Sequence, residues 1–261
     1  MPESQPPSSV RIDYPHPGVA LVVLDRPDSL NALDAAMEDE LATTFGELTA
    51  NEAISVLVVT GAGRGFCSGA DLADAAADLQ RYTTAEIMQR AGAAVLPLAT
   101  APQLTIAAVN GPAAGGGWGL AMACDVRVGG PSAQFTATFV RMGLGPDMGL
   151  SQTLPRAVGT PRALELLMTG RTVDAAEAVR LGIVDELAED PLAFALDLAE
   201  RVARAPARTV RSIKATVAAA AGTDIVDVIA TVEAEAQGRL KDHPDFLRTS
   251  AAWLSRHAGT P

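Results

Sequence analysis

Three segments of this sequence combine residue types that could do chemistry. The first is Gly61-Ala62-Gly63-Arg64-Gly65-Phe66-Cys67-Ser68-Gly69-Ala70-Asp71-Leu72, directly after an apolar run. Its glycines would let backbone N–H groups reach a ligand oxygen, although a plain glycine-rich turn reads the same locally. It is not a dinucleotide fingerprint, because Phe66 stands at the third glycine position of G-x-G-x-x-G, and it is not G-x-S-x-G. The second segment is Asn110-Gly111-Pro112-Ala113-Ala114-Gly115-Gly116-Gly117-Trp118-Gly119. Three glycines ahead of a helix allow close backbone approach, and the helix N-terminus adds unpaired N–H groups and a positive dipole end. Two such N–H sources facing each other would make an oxyanion hole for a thioester or ester carbonyl. The third is Gly143-Leu144-Gly145-Pro146-Asp147-Met148-Gly149, in which Asp147 is a lone carboxylate among apolar residues. Burial there would raise its pKa and poise it for proton transfer. The plainer alternative is a cap on the following helix.

Composition narrows the options. The chain has 261 residues, 48% of them hydrophobic, enough for one well-buried domain with an appendage. A formal charge of -11 argues against a nucleic-acid partner, which calls for a basic face. Lys214 and Lys241 are the only lysines and neither follows a glycine, so there is no Walker A loop. Cys67 and Cys124 lack C-x-x-C spacing, and His16, His243 and His257 lack metal-ligand spacing. The expectation is a reduced protein with no metal site. No signal-peptide pattern opens the chain and no apolar run is long enough to span a bilayer. Together these features predict a soluble, cytoplasmic protein with no membrane partner.

Strands must deliver the glycine loops. Val19–Leu24, Ile54–Thr60 and Leu104–Val109 are apolar runs bounded by Gly, Pro or Asn, and Asp125–Val128 and Gln134–Phe135 read as shorter strands. From Asn31 a helical stripe carries Leu33, Met37, Leu41, Phe45 and Leu48, and residues 72–100 read as helical. Thr160-Pro161 reads as a helix start with a capping hydroxyl, ending at Gly170; Asp174 starts another helix, ending at Gly182. Strand signals stop near residue 200, leaving helices near 207–221, 224–241 and 244–256. The pattern predicts a flexible tail over 1–12, an α/β core over 13–200 and a helical C-terminal region over 201–261.

Arg26-Pro27-x-x-x-Asn31-Ala32-Leu33, Phe66-Cys67-Ser68-Gly69-Ala70-Asp71-Leu72 and the Asn110–Gly117 segment together resemble the crotonase superfamily, the enoyl-CoA hydratase/isomerase family. The spacing to Ala123-Cys124-Asp125 and Ala133-Gln134-Phe135 also matches, and the resemblance spans about residues 18 to 250. It implies a spiral of ββα repeats with an all-helical C-terminal trimerisation region, and a homotrimer or dimer of trimers. It implies an acyl-CoA substrate, with CoA as part of the substrate and no separate cofactor. It places Ala70 and Gly116 as the two oxyanion-hole donors, and Ser29, Leu30, Ser68, Asp71 and Leu72 along the CoA nucleotide and pantetheine. Arg26 and Lys214 are expected as phosphate neighbours.

The sequence departs from the family pattern at the acid/base positions. Typical hydratases carry one glutamate two residues after the triple glycine and another four residues after Ala-Gln-Phe; here those positions are Gly119 and Phe139. Hydration needs an activated water and a proton donor, whereas a double-bond shift needs one carboxylate. Several isomerase members carry an aspartate in a Gly-x-x-Pro-Asp loop, and Asp147 matches it. The resemblance therefore favours isomerisation with Asp147 as proton shuttle, in a dry wall made by Phe139, Met142 and Met148. The alternatives are a hydratase with atypical acid/base residues, drawing on Asp74, Asp78 or Glu86, and an acyl-CoA-binding protein without catalysis. Another branch uses an aspartate near this position as a nucleophile on an aromatic acyl-CoA; only Trp118 and Phe139 would mark an aryl pocket here. Cys67 has no nearby histidine to activate it, and Asp71 reads as a loop-structuring carboxylate.

Overall fold

The computed structural model describes residues 8–257. Residues 1–7 of the expected tail lie outside that range. Residues 10–12 do not belong to a tail: β1 (Val10–His16) pairs antiparallel with β2 (Val19–Leu24). β1 is mostly solvent-facing and polar at alternate positions, so it lacks the apolar run that marks its neighbour.

β2 continues parallel onto β3 (Val56–Gly61), β4 (Leu104–Val109), β6 (Val126–Gly129) and the two-residue β9 (Glu186–Leu187), giving a six-stranded sheet ordered β1-β2-β3-β4-β6-β9. A second sheet joins β5 (Pro112–Ala114), β7 (Gln134–Thr136) and β8 (Thr172–Asp174). The chain enters the second sheet directly after leaving the first, β4 into β5 and β6 into β7, which is the repeating turn of the spiral.

β2 and β3 are buried along their whole length because both faces are covered. On one face Ala20, Val22, Leu24, Leu57 and Val59 meet Met37, Leu41 and Phe45 of α1 (Ala35–Ala50) and Leu98 of α3 (Thr84–Ala99). On the other, Val19, Leu21, Val56, Val58 and Ile106 meet Ala195 and Ala199 of α8 (Pro191–Ala203). Between β3 and β4 runs α2 (Leu72–Arg81), and α4 (Gly116–Ala123) follows β5. After β7 come α5 (Leu150–Val158), α6 (Thr160–Thr169) and α7 (Ala175–Leu181). The expected cap at Thr160 is not formed: Gly159 is the N-cap of α6, Thr160 is already helical and Pro161 follows it. Asp174 does cap α7, accepting from Glu177 N–H, and Gly170 and Gly182 close their helices with positive φ.

The C-terminal region is helical as expected. It holds α9 (Ala207–Ala220), then α10 (Ile225–Asp227) running through a π-helical stretch into α11 (Ala234–Lys241), then α12 (Pro244–His257). Among the described residues no helix is long and apolar enough to cross a membrane.

Candidate functional site

The loops after β3 and β4 leave the same end of the parallel strands, where α/β sheets commonly place ligands. Two buried or half-buried asparagines hold the first loop. Asn31 has φ +58 and donates from Nδ2 to Ala62 O, Gly65 O and Phe66 O at 3.0, 2.9 and 3.2 Å, while its Oδ1 accepts from Arg26 N–H at 2.9 Å. Asn110 donates to Gly61 O and Gly63 O at 3.0 and 2.9 Å. A buried backbone carbonyl needs a partner, and these side chains supply it where no strand can. That is the physical reason for Asn31 and Asn110 in their motifs.

The loop then makes isolated bridges to its neighbours. Leu33 N–H donates to Gly69 O and Asp71 N–H donates to Leu33 O, both at 2.8 Å. These bonds use the residues on either side of Ala70, so the Ala70 N–H points away from Leu33. Cys67 bridges to Ala113, joining the loop to β5. The Gly69 backbone lies so close to α4 that a Cβ there would stand 2.7 Å from Ala114 O and 3.3 Å from Gly116 N. Gly116 is the first residue of α4, so its N–H has no intrahelical acceptor. Gly115, at φ +52 and ψ -125, takes a conformation open essentially to glycine alone, and it turns the chain into the helix. The segments bearing the Ala70 and Gly116 N–H groups are thus packed side by side.

Asp147 faces them. A Cβ on Gly116 would stand 3.5 Å from Asp147 Oδ1, 3.3 Å from Met148 Sδ and 3.8 Å from Leu33 Cδ1. Asp147 Oδ1 is buried and has no hydrogen-bond partner. Burial pushes the Asp147 carboxyl up to about 6, opposed only by its own backbone N–H. The helix-capping alternative fails: Gly149 is the N-cap of α5 and no side chain caps it. Phe139 is buried, with Cε1 3.8 Å from the point where a Cβ on Gly115 would stand. Met148 is buried too, but Met142 is 46% exposed and does not belong to the dry wall expected of it.

The other expected residues divide. Ser68 Oγ donates to Ser29 O at 3.0 Å and Ser68 N–H to Leu30 O at 3.0 Å, so Ser29, Leu30 and Ser68 form one patch beside Gly69. Asp71 caps α2, accepting from Ala73 N–H, and Leu72 beside it is 66% exposed. Arg26 is not a free phosphate neighbour. Its guanidinium lies 3.0 Å from Asp34 and 3.1 Å from Asp71 and donates to Ala32 O, so two carboxylates already neutralise it. Partial burial works to raise the Asp71 pKa, but the Arg26 bond and the N–H groups of Ala73 and Asp74 win and hold it low. Lys214 is not in the site either: it reaches Asp125 at 2.6 Å and Gln103 O at 2.9 Å, at the starts of β4 and β6, the opposite end of the strands. A cavity of about 740 Å³ lies at that far end, between α9 and α11, with acids and bases mixed on its walls.

None of the three extra acids is free. Asp74 accepts from Ala35 N–H at 2.7 Å, Glu86 forms a capping box with Thr83, and Asp78 is ion-paired with Arg90. The acid the sequence reading missed is Glu38. It lies on the buried side of α1, three residues before Leu41 and seven before Phe45, and Arg90 Nε donates to it at 2.9 Å. Burial raises its pKa, Arg90 opposes the rise, and the Asp147 charge adds to it. The two carboxyls are therefore within electrostatic reach of each other. Cys67 is fully buried and its thiol is pushed up to about 12, so it is inert. Trp118 is core, packed on Phe135 with ring centroids 5.7 Å apart. Among the described residues no cluster of His, Cys, Asp and Glu could hold a metal ion.

A buried aspartate whose pKa is raised to about 6, beside the helix N-terminal Gly116, is chemically suited to move a proton next to a polarised carbonyl. The family model for enoyl-CoA hydratase/isomerase matches residues 15–256. A probable enoyl-CoA hydratase of Mycobacterium leprae is 40% identical over 188 residues, covering 69% of this chain and 64% of that protein's own length. The crystal structure of a probable enoyl-CoA hydratase/isomerase from Mycobacterium abscessus superposes with a TM-score of 0.82 at 34% identity, covering 95% of this chain and 97% of the other. That of an enoyl-CoA hydratase from Bacillus anthracis gives 0.88 at 29% identity, covering 95% and 97%. The chain belongs to the enoyl-CoA hydratase/isomerase family of the crotonase superfamily.

Proposed function

We propose that this protein is a CoA-thioester isomerase that moves the double bond of a 3-enoyl-CoA to the 2-position. The observation that carries the reading is the buried, unpartnered Oδ1 of Asp147 beside Gly116, with no carboxylate at Gly119 or Phe139. The thioester oxygen accepts hydrogen bonds from the Ala70 and Gly116 N–H groups. Asp147 takes a proton from C2, and the C2–H electrons move into a dienolate whose charge rests on that oxygen. The protonated Asp147 then returns the proton to C4, and the remaining double bond lies between C2 and C3. No water is consumed. CoA is part of the substrate, lying along Ser29, Leu30, Ser68, Asp71 and Leu72, mostly on backbone groups. Arg26 acts as the tie that shapes this patch.

The reading takes the protein as a cytoplasmic homotrimer or dimer of trimers. Ile213, Val217, Ile225, Ile229, Leu247 and Leu254 are exposed on the C-terminal helices, and a second copy would cover them. Light scattering tests this; a monomer at micromolar concentration would overturn it.

Hydration is the second reading, favoured by the names of the relatives and by Glu38, a second buried carboxyl that senses Asp147. Assaying a 3-enoyl-CoA and a trans-2-enoyl-CoA in parallel, with Asp147→Asn and Glu38→Gln, separates the two. Isomerisation that needs Asp147 supports the first; 3-hydroxyacyl-CoA formation that needs Glu38 supports the second.

A further inference from the structure

The loop that carries Asp147 also fills the space beside Gly119. Asp147–Leu150 is a tight turn closed by Leu150 N–H donating to Asp147 O at 2.9 Å. Its two central residues, Met148 and Gly149, have φ of +44 and +78, the positive pair of a type I′ turn. Gly149 adopts this freely. Met148 does so against steric resistance, and glycine or asparagine would meet the same backbone more easily. Either would leave the neighbouring space open or polar. Met148 closes it: its Cβ is 2.7 Å from where a Cβ on Gly119 would stand, the tightest approach there, ahead of the backbone oxygens of Met148 and Asp147 at 3.2 and 3.3 Å, and its Sδ is 3.3 Å from the corresponding point on Gly116. Such an approach is closer than real Cβ atoms make, so even alanine at 119 requires the Met148 turn to shift.

We infer that Met148 is a specificity-determining residue, an apolar wedge against Gly119 that keeps water and a carboxyl at position 119 off that side of Asp147 and commits the site to proton transfer without hydration. The inference rests on the isomerase reading. Position 119 is where the family resemblance leads one to expect a hydratase glutamate; with Met148 in place, a glutamate there requires this turn to shift. Excluding water also preserves the proton on Asp147 between its two transfers, because no solvent molecule is at hand to exchange with it.

Two experiments test the wedge. The first reads stability alone. Gly119→Ala is expected to lower Tm in the unmodified background and to lower it by less than half as much alongside Met148→Gly, whose backbone suits the turn. Additive losses would overturn the proposal whatever the protein's activity. The second reads deuterium in the 2-enoyl-CoA product formed in D₂O. The unmodified protein should transfer mostly the original proton, and Met148→Gly should raise deuterium at C4 by an order of magnitude. Gly119→Glu alone should gain no hydration of trans-2-enoyl-CoA, whereas the double variant should gain it. Unchanged deuterium in a folded Met148→Gly protein would overturn the wedge. Absence of isomerisation in the unmodified protein would instead remove the isomerase reading, with the Tm comparison still deciding whether Met148 and position 119 compete.

Discussion

Asp147 Oδ1 stands 3.5 Å from the point where a Cβ on Gly116 would be, so a buried carboxyl and a helix N-terminal N–H share one wall of the site. α4 needs Gly115 to start where it does, and the Asp147 turn needs Gly119 in order to pack on α4.

Asp147→Asn should lower isomerisation by about 10²–10⁴-fold, the usual worth of one general base. It should also stabilise the protein. A carboxyl raised from 3.8 to about 6 binds its proton more tightly folded than unfolded. Its contribution is therefore most favourable at low pH and declines as pH climbs from about 4 through 6. At pH 7–8 the asparagine variant should be more stable by up to about 3 kcal/mol, at 1.36 kcal/mol per unit, with the gain vanishing below pH 4. Denaturant melts of both proteins across that pH range check the sign.

The same carboxyl sets the pH profile. As a base Asp147 must be ionised, so kcat/KM should rise with pH through about 6 and level off above it. A limb near pH 4, the ordinary aspartate range, would mean the carboxyl is not buried when the enzyme works.

Gly116→Pro offers a test of the N–H groups. Gly116 is the first residue of α4, a position where proline is tolerated and its missing N–H breaks no helical bond. The proline ring meets Met148 Sδ and Asp147 Oδ1, which stand 3.3 and 3.5 Å from a Cβ at 116, so the variant is compared with Gly116→Ala, which adds the Cβ and keeps the N–H. With both variants folded by thermal melt, the proline one should lose about 10²–10³-fold more in kcat, the typical worth of one oxyanion donor. A proline variant with full kcat would remove Gly116 from that role.

Arg90 ties three helices by pairing with Glu38 on α1 and Asp78 on α2 from its place on α3. All three side chains are largely buried. Arg90→Met strands two carboxylates and should cost about 3–5 kcal/mol. Freed from Arg90, Glu38 would hold its proton more tightly, so part of the loss should return as the pH is lowered toward 5. Thermal melts of Arg90→Met at pH 5 and pH 8 give the comparison.

Much of this was legible in the sequence because it is written in local rules. Val19–Leu24 and Leu104–Val109 are strands over the residues their apolar runs mark, and Asp174 starts a helix while Gly170 and Gly182 end theirs where their types predict. The three glycine-bearing loops do converge, since each needs a backbone that other residues adopt poorly. What escaped depends on partners far away in the chain. β1 is polar at alternate positions, and β5, β8 and β9 are two or three residues long, too short for any periodicity to register. Arg26 and Lys214 have the charge a phosphate wants, but Asp34, Asp71 and Asp125 claim them, and only the tertiary fold reveals that. Glu38 hid in a helix whose apolar stripe drew attention to its neighbours, and its buried side is explained by Arg90, 52 residues away.

The most direct test of the central claim is the rate at which purified protein converts a 3-enoyl-CoA to the 2-enoyl isomer, measured in D₂O beside Asp147→Asn. The account predicts double-bond migration in the unmodified protein, a fall of about 10²–10⁴-fold in the variant, and little 3-hydroxyacyl-CoA from either. Undiminished migration in the asparagine variant, or rapid 3-hydroxyacyl-CoA formation that survives the loss of Asp147, would contradict it.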